Sequence, residues 1–339
     1  MTSKVPVLVT GGAGYIGSHA VLALTDAGWP VTVIDNLVTG FRWAVPQGAA
    51  FYQGDIADGA LVARICAEQG IKAVMHFAGS VMVPESVTDP LKYYENNTAR
   101  SRALIAALVS AGVPHMIFSS TAATYGIPEV SPVREDSPKL PINPYGMSKL
   151  MTEIMLADVA KAHPINYCAL RYFNVAGADP RARTGQSTAG ATHLIKVAVE
   201  AALGKRSHVD IFGTDYATAD GTGVRDYIHV SDLAAAHVLA LEALIAAPAD
   251  SLTMNCGYGR GYSVLEVLDA VDRATNVAIE RRLGPRRMGD PDALISDNAL
   301  IKQTLPWEPQ YADLDTIVRH ALAWERKLGE MLDLVRPSP

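Results

Sequence analysis

Tyr145 and Lys149 stand four residues apart in a segment, Asn-Pro-Tyr-Gly-Met-Ser-Lys, that has the features of a helix start. Residues at this spacing share one helix face, so the phenol and the ammonium are expected to lie side by side. A tyrosine ordinarily keeps its proton up to about pH 10, but a neighbouring positive charge favours the phenolate and lowers the pKa. The pair predicts a group that can take a proton from an alcohol.

Thr121 is a third candidate for the same chemistry. It follows a predicted strand that ends at Phe118, so its hydroxyl can bridge a substrate oxygen and the phenol of Tyr145. Each of these residues also has an ordinary interpretation. Tyr145 can be a surface tyrosine beside a solvated lysine, and the Thr121 hydroxyl can bond only to backbone at a strand end.

A glycine-rich turn follows the first apolar run, Lys4–Thr10. Gly12, Gly14 and Gly17 have the spacing of a dinucleotide-binding turn, in which the backbone approaches a pyrophosphate and a helix begins at once. A helix N-terminus favours an anion because its first amides are unpaired and its dipole is positive there. The helix, predicted over Ser18–Ala27, is followed by a second strand, so the pattern is that of a strand, turn, helix and strand.

Asp35 ends that second strand, Val31–Ile34. A carboxylate at this point can hold both ribose hydroxyls of adenosine and repels a 2′-phosphate. The residue therefore favours NAD over NADP, although an Asp-Asn pair such as Asp35-Asn36 is also common in turns.

The elements that must position these residues alternate between strand and helix. Strands are predicted over residues 50–53, 73–77, 115–118 and 167–171, with helical stretches between them. This alternation predicts an α/β fold with a doubly wound, Rossmann-like parallel sheet. Ligands bind such sheets beyond the carboxyl ends of the strands, where Asp55, Phe77-Ala78-Gly79 and Tyr172 also fall.

The sequence changes character near Asn174. Loops rich in Gly, Asp, Pro and Arg are predicted over residues 176–190 and 213–226, with helices between and after them. We interpret residues 1–175 as the NAD-binding domain and 176–339 as a smaller C-terminal substrate lobe. The run Asp226–Val230 predicts a strand that returns to the main sheet, so residues near 225–240 are expected to rejoin the first domain.

The composition is that of an ordinary globular protein. The chain has 339 residues, of which 49% are apolar and 19% charged, with a net charge of −6 and no Lys/Arg-rich run. Neither nucleic acid nor a membrane is therefore an expected partner. Cys66, Cys168 and Cys256 are too few and too widely spaced for a disulfide framework or a zinc site, which predicts a reducing, cytoplasmic location and no metal.

Several segments together resemble the extended short-chain dehydrogenase/reductases, and within them the UDP-glucose 4-epimerases. They are Thr10–Gly17, Asp35–Leu37, His76–Gly79, Tyr93–Asn97, Tyr145-x-x-x-Lys149, Arg171–Asn174, Gly221–Val230 and Arg286-Arg287-x-Gly289-Asp290. The similarity spans nearly the whole chain, and the Gly221–Val230 segment is its most specific part.

The resemblance implies roles for individual residues. Tyr145, Lys149 and Thr121 would be catalytic. The NAD site would comprise Gly11, Gly14, Tyr15, Ile16, Gly17, Asp35, Asn36, Asp55, Ile56, Phe77, Ala78, Gly79, Asn96, Tyr145, Lys149 and Tyr172. The UDP-sugar would contact Thr121, Tyr145, Asn174, His193, Arg225, Arg287, Asp290 and Leu294, with the two arginines as forks for the diphosphate.

Two positions depart from the family pattern. Val81 stands where many relatives have a lysine, so one contact to the cofactor phosphates is expected to be missing. His193 stands where relatives often have an asparagine, and its role is open. Ala122 and Ala123 occupy the places of an Asp-Glu pair in related sugar-nucleotide dehydratases, so elimination of water has no local acid and base here. His76 and His229 are interpreted as structural histidines.

The implied activity is interconversion of UDP-glucose and UDP-galactose through a 4-keto sugar with bound NAD. Other UDP-sugars, such as N-acetylhexosamine, uronate or pentose nucleotides, remain alternatives, and so does a redox-sensing regulator that keeps the NAD site without the chemistry. Counting four positions past Asp290, the resemblance implies that Leu294 lies beside the sugar 2-substituent, where its intermediate size predicts partial exclusion of an N-acetyl group; the alternative is that Leu294 is simply a core residue. The family further implies a homodimer through the helices Leu91–Ser110 and Ser148–Lys161.

Overall fold

The short runs of branched residues in the first half form strands that are buried on both faces. In the computed structural model, which describes residues 4–287 and 289–335, Val7–Thr10 and Val31–Asp35 are buried at every position. Such continuous apolar runs are typical of parallel strands covered by helices on both sides. The strands are β1 (Val7–Thr10), β2 (Val31–Asp35), β3 (Ala50–Gln53), β4 (Ala73–His76), β5 (His115–Thr121), β6 (Asn166–Tyr172), β7 (Asn174–Ala176), β8 (Val209–Phe212), β9 (Val224–His229), β10 (Leu252–Cys256), β11 (Gly261–Ser263), β12 (Arg281–Gly284) and β13 (Ala293–Leu294).

The main sheet has seven parallel strands in the order β10-β6-β5-β4-β1-β2-β3. The order reverses between β1 and β4, and a doubly wound sheet opens a crevice at that point. The predicted Rossmann-like fold is therefore confirmed.

Helices cover both faces of this sheet. The α-helices are α1 (Tyr15–Asp26), α2 (Gly59–Gln69), α3 (Val83–Thr88), α4 (Pro90–Tyr93), α5 (Arg100–Ser110), α6 (Pro144–Ala162), α7 (Leu194–Ala202), α8 (Val230–Ala246), α9 (Val264–Thr275), α10 (Ala299–Thr304) and α11 (Leu314–Val335). One core unites α1 and α8 with the sheet, and a second core unites α2 and α5 with its other face. Among the described residues, no helix is long and apolar enough to cross a membrane.

The second part of the chain builds a separate small core. Helices α7, α9 and α11 pack around buried residues that include Ile195, Val267 and Ile317. Strands β7, β11 and β13 each pair with β9, while β8 pairs with β12. The division at residue 175 stays a prediction, and residues 1–3, 288 and 336–339 of the two predicted domains lie outside the described residues.

The structure corrects two details of the sequence prediction and refines a third. The strand predicted over Asp226–Val230 is β9, which joins the small sheet, because its partners are the short strands around it; β10 and the helix α8 are what return to the main sheet. Strand β5 continues to Thr121 rather than Phe118, because its pairing with β6 extends to Thr121 opposite Tyr172. The helix predicted over Leu91–Ser110 contains a π-helical stretch, Tyr94–Ala99.

Candidate active site

Helix α6 brings Tyr145 and Lys149 to the end of strand β5. Its start is fixed by Asn143, whose side chain accepts a hydrogen bond of 2.8 Å from the Gly146 amide, and by Pro144 in the first turn. Gly146 allows a close approach, since a Cβ atom there would lie 2.5 Å from the Ala123 carbonyl oxygen. The tight contact places the first turn of the helix against the residues that follow Thr121.

Tyr145 lies against the hydroxyl of Thr121. That hydroxyl lowers the phenol pKa, but burial has the larger effect and raises the pKa of Tyr145 above its ordinary value. The expectation that Lys149 brings the Tyr145 pKa toward the working pH is therefore wrong for the chain alone. The free-energy cost of removing the phenolate from water exceeds the stabilisation that the neighbouring groups provide. The oxygen of Thr121 also accepts a hydrogen bond of 3.1 Å from the Ala123 amide, so its hydroxyl is engaged with backbone but not with backbone only, and its catalytic role stays a prediction.

Lys149 is 3% exposed, and its ammonium donates a hydrogen bond of 2.9 Å to the Ser119 carbonyl oxygen. The ammonium also lies 5.1 Å above the ring of Phe118. Burial lowers the pKa of Lys149 to about 8. A Cβ atom on Gly79 would lie 3.7 Å from the ammonium, so the Phe77–Gly79 segment and the proton-transfer pair border one space.

The glycine turn after β1 forms a cradle that side chains would fill. Gly11 has φ +68°, and a Cβ atom there would lie 2.6 Å from the Ala78 amide nitrogen. A Cβ atom on Gly17 would lie 2.1 Å from the Gly11 carbonyl oxygen. The N-cap of α1 is Gly14, which has no side chain to bond the first amides, those of Tyr15 and Ile16. These features fit a dinucleotide pyrophosphate at the helix N-terminus.

Asp35 and Asp55 lie at the ends of neighbouring strands β2 and β3. Asp35 accepts hydrogen bonds from the Ala13 amide at 2.9 Å and the Leu37 amide at 2.8 Å, which fixes its carboxylate beside the glycine turn. Each carboxylate oxygen has a further lone pair for a ribose hydroxyl. Asp55 forms an ion pair with Arg100. Arg100 was missed by sequence reasoning, since nothing in the chain links residues 45 positions apart.

Some predicted cofactor residues have side chains engaged elsewhere in the protein. The Tyr15 hydroxyl donates to the Gly177 carbonyl oxygen at 2.7 Å, and Ile56 is buried in the core under the sheet. Asn36 accepts a hydrogen bond from the Val38 amide at 3.1 Å, which is a turn role. Tyr172 hydrogen-bonds His237.

The loop after β4 is held by an asparagine that sequence reasoning passed over. Asn97 accepts a hydrogen bond from the Ser80 amide at 2.7 Å and donates to the Ser148 hydroxyl at 3.1 Å. Its neighbour Asn96, which is the predicted NAD contact, donates a hydrogen bond of 2.8 Å to the Ser80 hydroxyl. Both asparagines stand in the same motif, so the signal was present, but only the fold shows which side chain points inward.

His76 and His229 each bond fixed neighbours. The ring nitrogens of His76 lie 2.7 Å from the Thr10 hydroxyl and 2.8 Å from the Ser101 hydroxyl, and burial lowers its pKa to about 3. His229 accepts a hydrogen bond from the Ser231 amide and lies 3.0 Å from His320. Both residues are therefore held as parts of the scaffold.

The arginines of the second part lie beside acidic and aromatic partners. Arg225 donates a hydrogen bond of 2.8 Å to Asp290. The guanidinium of Arg287 lies 4.0 Å above the ring of Phe212. These contacts hold the two guanidinium groups in place.

Asn174 and His193 border the small sheet and helices α7 and α11, whereas Leu294 contacts both parts of the chain. Asn174 and His193 line one cavity, where Gln186 and His193 are joined at 2.7 Å and burial lowers the His193 pKa. Leu294 pairs with Arg225 across β13 and β9, and packs against the cluster that contains Ala122, next to Thr121. Leu294 thus joins the arginine side of the site to the tyrosine side.

Comparisons with known proteins agree with this geometry. Residues 7–257 match the model of the NAD dependent epimerase/dehydratase family. A UDP-glucose 4-epimerase of Azospirillum brasilense is 56% identical over 96% of this chain and 93% of its own. The structure of a UDP-glucose-4-epimerase from Stenotrophomonas maltophila, with bound NAD and formylated UDP-arabinopyranose, has a TM-score of 0.93 at 39% identity and covers 96% of this chain and 99% of that one.

A third relative differs in the sugars that it is named for. The UDP-Glc/GlcNAc 4-epimerase of Campylobacter jejuni is 45% identical, has a TM-score of 0.84, and covers 95% of this chain and 99% of its own. A family match over most of the chain, together with relatives that align over nearly its full length, establishes the kinship. This chain belongs to the NAD-dependent epimerase/dehydratase family.

Proposed function

We propose that the protein is a UDP-glucose 4-epimerase that interconverts UDP-glucose and UDP-galactose through a 4-keto sugar. The observation that carries this proposal is the convergence of three features on one crevice. The phenol of Tyr145 adjoins Thr121, the Lys149 ammonium is bonded to Ser119 two residues before it, and the Phe77–Gly79 segment lies between this ammonium and the glycine cradle of α1. Relatives named for this activity align over nearly the full chain.

The side chains divide the work of the reaction. Bound NAD supplies a nicotinamide ring that accepts and returns a hydride and carries a positive charge when oxidised. Tyr145 takes the proton of the sugar 4-hydroxyl and returns it to the ketone oxygen, while Thr121 orients that oxygen. Lys149 adds positive charge near the phenol and, with the nicotinamide, offsets the burial that raises the Tyr145 pKa.

Arg225 and Arg287 would hold the diphosphate while the sugar turns over between the two steps. An anchored nucleotide and a free hexose allow either face of the keto carbon to meet the nicotinamide. The cavity that Asn174 and His193 line is bounded by β7, α7 and α11 and includes neither arginine, so contact of these two residues with the substrate stays an expectation from the family resemblance. Since the sugar ends in its original oxidation state, no net NAD is consumed.

Two other functions of NAD-binding proteins fit the residues less well. A dehydratase needs an acid and a base beside Thr121, but Ala122 and Ala123 stand there in a short 3-10 turn. A redox-sensing regulator has no need of a proton-transfer group, yet Tyr145 and Lys149 are both buried at substantial free-energy cost.

The decisive experiment uses purified protein without added NAD. We expect it to convert UDP-glucose to UDP-galactose, resolved by chromatography, and denatured protein to release NAD. Stoichiometric consumption of added NAD would instead identify a dehydrogenase, and a product lighter by one water would identify a dehydratase. A panel of N-acetyl, uronate and pentose nucleotides in the same assay ranks the sugar alternatives.

We further propose that the protein acts as a cytoplasmic homodimer. The support for the dimer is an apolar groove between α5 and α6, lined by Tyr94, Thr98, Ala99, Arg102, Met151 and Met155. Nearby Leu91 and Ile154 are 76% and 54% exposed, which favours cover by a second copy. The three buried free cysteines support the reducing compartment.

Light scattering tests the dimer. We expect wild type at twice the chain mass and Ile154→Glu at the mass of one chain. Leu283→Glu, at a residue 72% exposed on β12, is the control and should leave the mass unchanged. A monomeric wild type at micromolar concentration would refute the proposal.

A further inference from the structure

A buried carboxylate lies on α6 beyond the two catalytic candidates. Glu153 stands four residues after Lys149 and eight after Tyr145, and it is 6% exposed. It accepts a hydrogen bond from the hydroxyl of Ser120. Arg171 on β6 donates to both of its oxygens, at 3.0 and 2.7 Å. The proposed mechanism assigns no role to Glu153.

The last three residues of β5 each meet a different residue of one helix face. Lys149 donates to the carbonyl oxygen of Ser119, and Glu153 accepts from the side chain of Ser120. Tyr145 meets the side chain of Thr121. Residues at i, i+4 and i+8 follow one line along a helix for about 12 Å. Two hydrogen bonds therefore tie the helix to the strand end, and the phenol of Tyr145 adjoins the next residue, Thr121.

Arg171 extends these ties to neighbouring elements. It donates to the Tyr125 hydroxyl at 2.8 Å, and that hydroxyl donates to Asn255 on β10 at 2.6 Å. Tyr125 belongs to the turn directly after Thr121. The guanidinium also balances the charge of Glu153, so the pair adds no net charge beneath the ammonium of Lys149.

We propose that Glu153 is a positioning residue, which sets the register of the Tyr145 helix against the Thr121 strand and does so without net charge because Arg171 neutralises it. The proposal rests on the proposed proton transfer by Tyr145. A shift of about 1 Å between reacting groups can cost roughly 100-fold in rate, so a fixed register has catalytic value.

Ser120→Ala tests the register, because it removes one tie and leaves the Glu153–Arg171 pair intact. We expect kcat to fall by about 10- to 100-fold while KM for UDP-glucose and the NAD content stay within about 3-fold. Asn166→Ala is the matched control. Asn166 joins β6 to β5 at the opposite end of the same strands, with its side chain 2.7 Å from His115. It should lower thermal stability without changing kcat; equal kcat losses in both variants, or none in Ser120→Ala, would overturn the register role.

Glu153→Gln tests the neutralisation. The uncompensated charge of Arg171 should stabilise the phenolate, so the Tyr145 pKa should fall and the acid limb of the kcat profile should move to lower pH. Glu153→Asp keeps the charge and should leave that limb unmoved. The pKa of Tyr145 is measured without substrate. At each pH, the ultraviolet absorbance of a protein is compared with that of the same protein carrying Tyr145→Phe. An inactive wild type would refute the proposed function alone, whereas an unmoved titration in Glu153→Gln would refute the neutralising role.

Discussion

The two sides of the candidate site, one around Tyr145 and the other around Arg225 and Arg287, stand on different kinds of secondary structure. Thr121, Tyr145 and Lys149 lie on one strand end and one long helix, within 29 residues of chain, and regular hydrogen bonding fixes their positions. Asn174, Arg225 and Arg287 come from a short strand, a second short strand and a loop, spread over more than 110 residues. The proton-transfer candidates therefore stand on a long helix and a strand of the main sheet, whereas the candidate substrate contacts stand on short strands and a loop.

The difference extends to electrostatics. On the tyrosine side, burial shifts the pKa of both Tyr145 and Lys149 away from the charged form, while the buried Glu153 is paired with Arg171. On the arginine side, Arg225 has a carboxylate 2.8 Å away, and its side chain is 14% exposed. Burial therefore disfavours charge on Tyr145 and Lys149, whereas an ion pair stabilises the charge of Arg225.

Tyr145→Phe makes the largest expected change and should affect rate alone. The ring keeps its packing but loses the proton acceptor, so kcat should fall by roughly 100- to 10,000-fold, with the Kd for UDP-glucose within about 3-fold. Tyr52→Phe, at a surface tyrosine bonded to Glu68, is the control and should be fully active. Near-normal kcat in Tyr145→Phe would show that another group takes the proton.

Lys149→Met should stabilise the fold while abolishing turnover. The Lys149 pKa falls from 10.5 to about 8 on folding, so folding releases a proton between these values and wild type gains stability as pH rises from about 8 to 10.5. The variant should be more stable by about 3 kcal/mol below pH 8, and the difference should vanish toward pH 10.5. Denaturant titrations across pH measure this, with exposed Lys161→Met as the control. A pH-independent difference would contradict the burial argument.

Arg225→Lys should affect binding and leave the rate nearly intact, the opposite of Tyr145→Phe. Lysine keeps the charge but loses the bidentate fork, so KM for UDP-glucose and Kd for UDP should rise by about 10-fold. Arg273→Lys changes an exposed ion pair with Asp315 in the same lobe and should have no effect. A fall in kcat without a change in KM would show that Arg225 acts in the chemical step rather than in binding.

Leu294 should have the smallest effect, because it changes the choice of sugar rather than the chemistry. We expect a main activity on the plain hexoses and a weaker one on the N-acetyl sugars, since misfit of about one methylene costs only 1–3 kcal/mol. Leu294→Tyr should lower the ratio of N-acetyl to plain hexose turnover, and Leu294→Gly should raise it. Unchanged ratios in both variants would show that Leu294 is only a core residue.

Most of the main sheet could be predicted because its signals are local. Branched runs, the glycine turn and the Asn143-Pro144 helix start each determine backbone conformation over a few residues. Strand β10 and the small-sheet location of β9 could not be predicted, since strand partners depend on which surfaces remain uncovered after the helices pack. The same holds for Arg100, Asn97 and Glu153, whose partners lie far away in the chain.

By itself, the sequence determined the order of elements, the family and the residue types available for chemistry, because these follow from local pattern and motif spacing. Only the tertiary structure decided that burial raises the Tyr145 pKa, that Glu153 is neutralised by Arg171, and that Leu294 meets both Arg225 and the Ala122 cluster. The physical reason is that solvation, charge pairing and packing depend on distances in space, and the chain brings these groups together only when the sheet and its helices have closed around them.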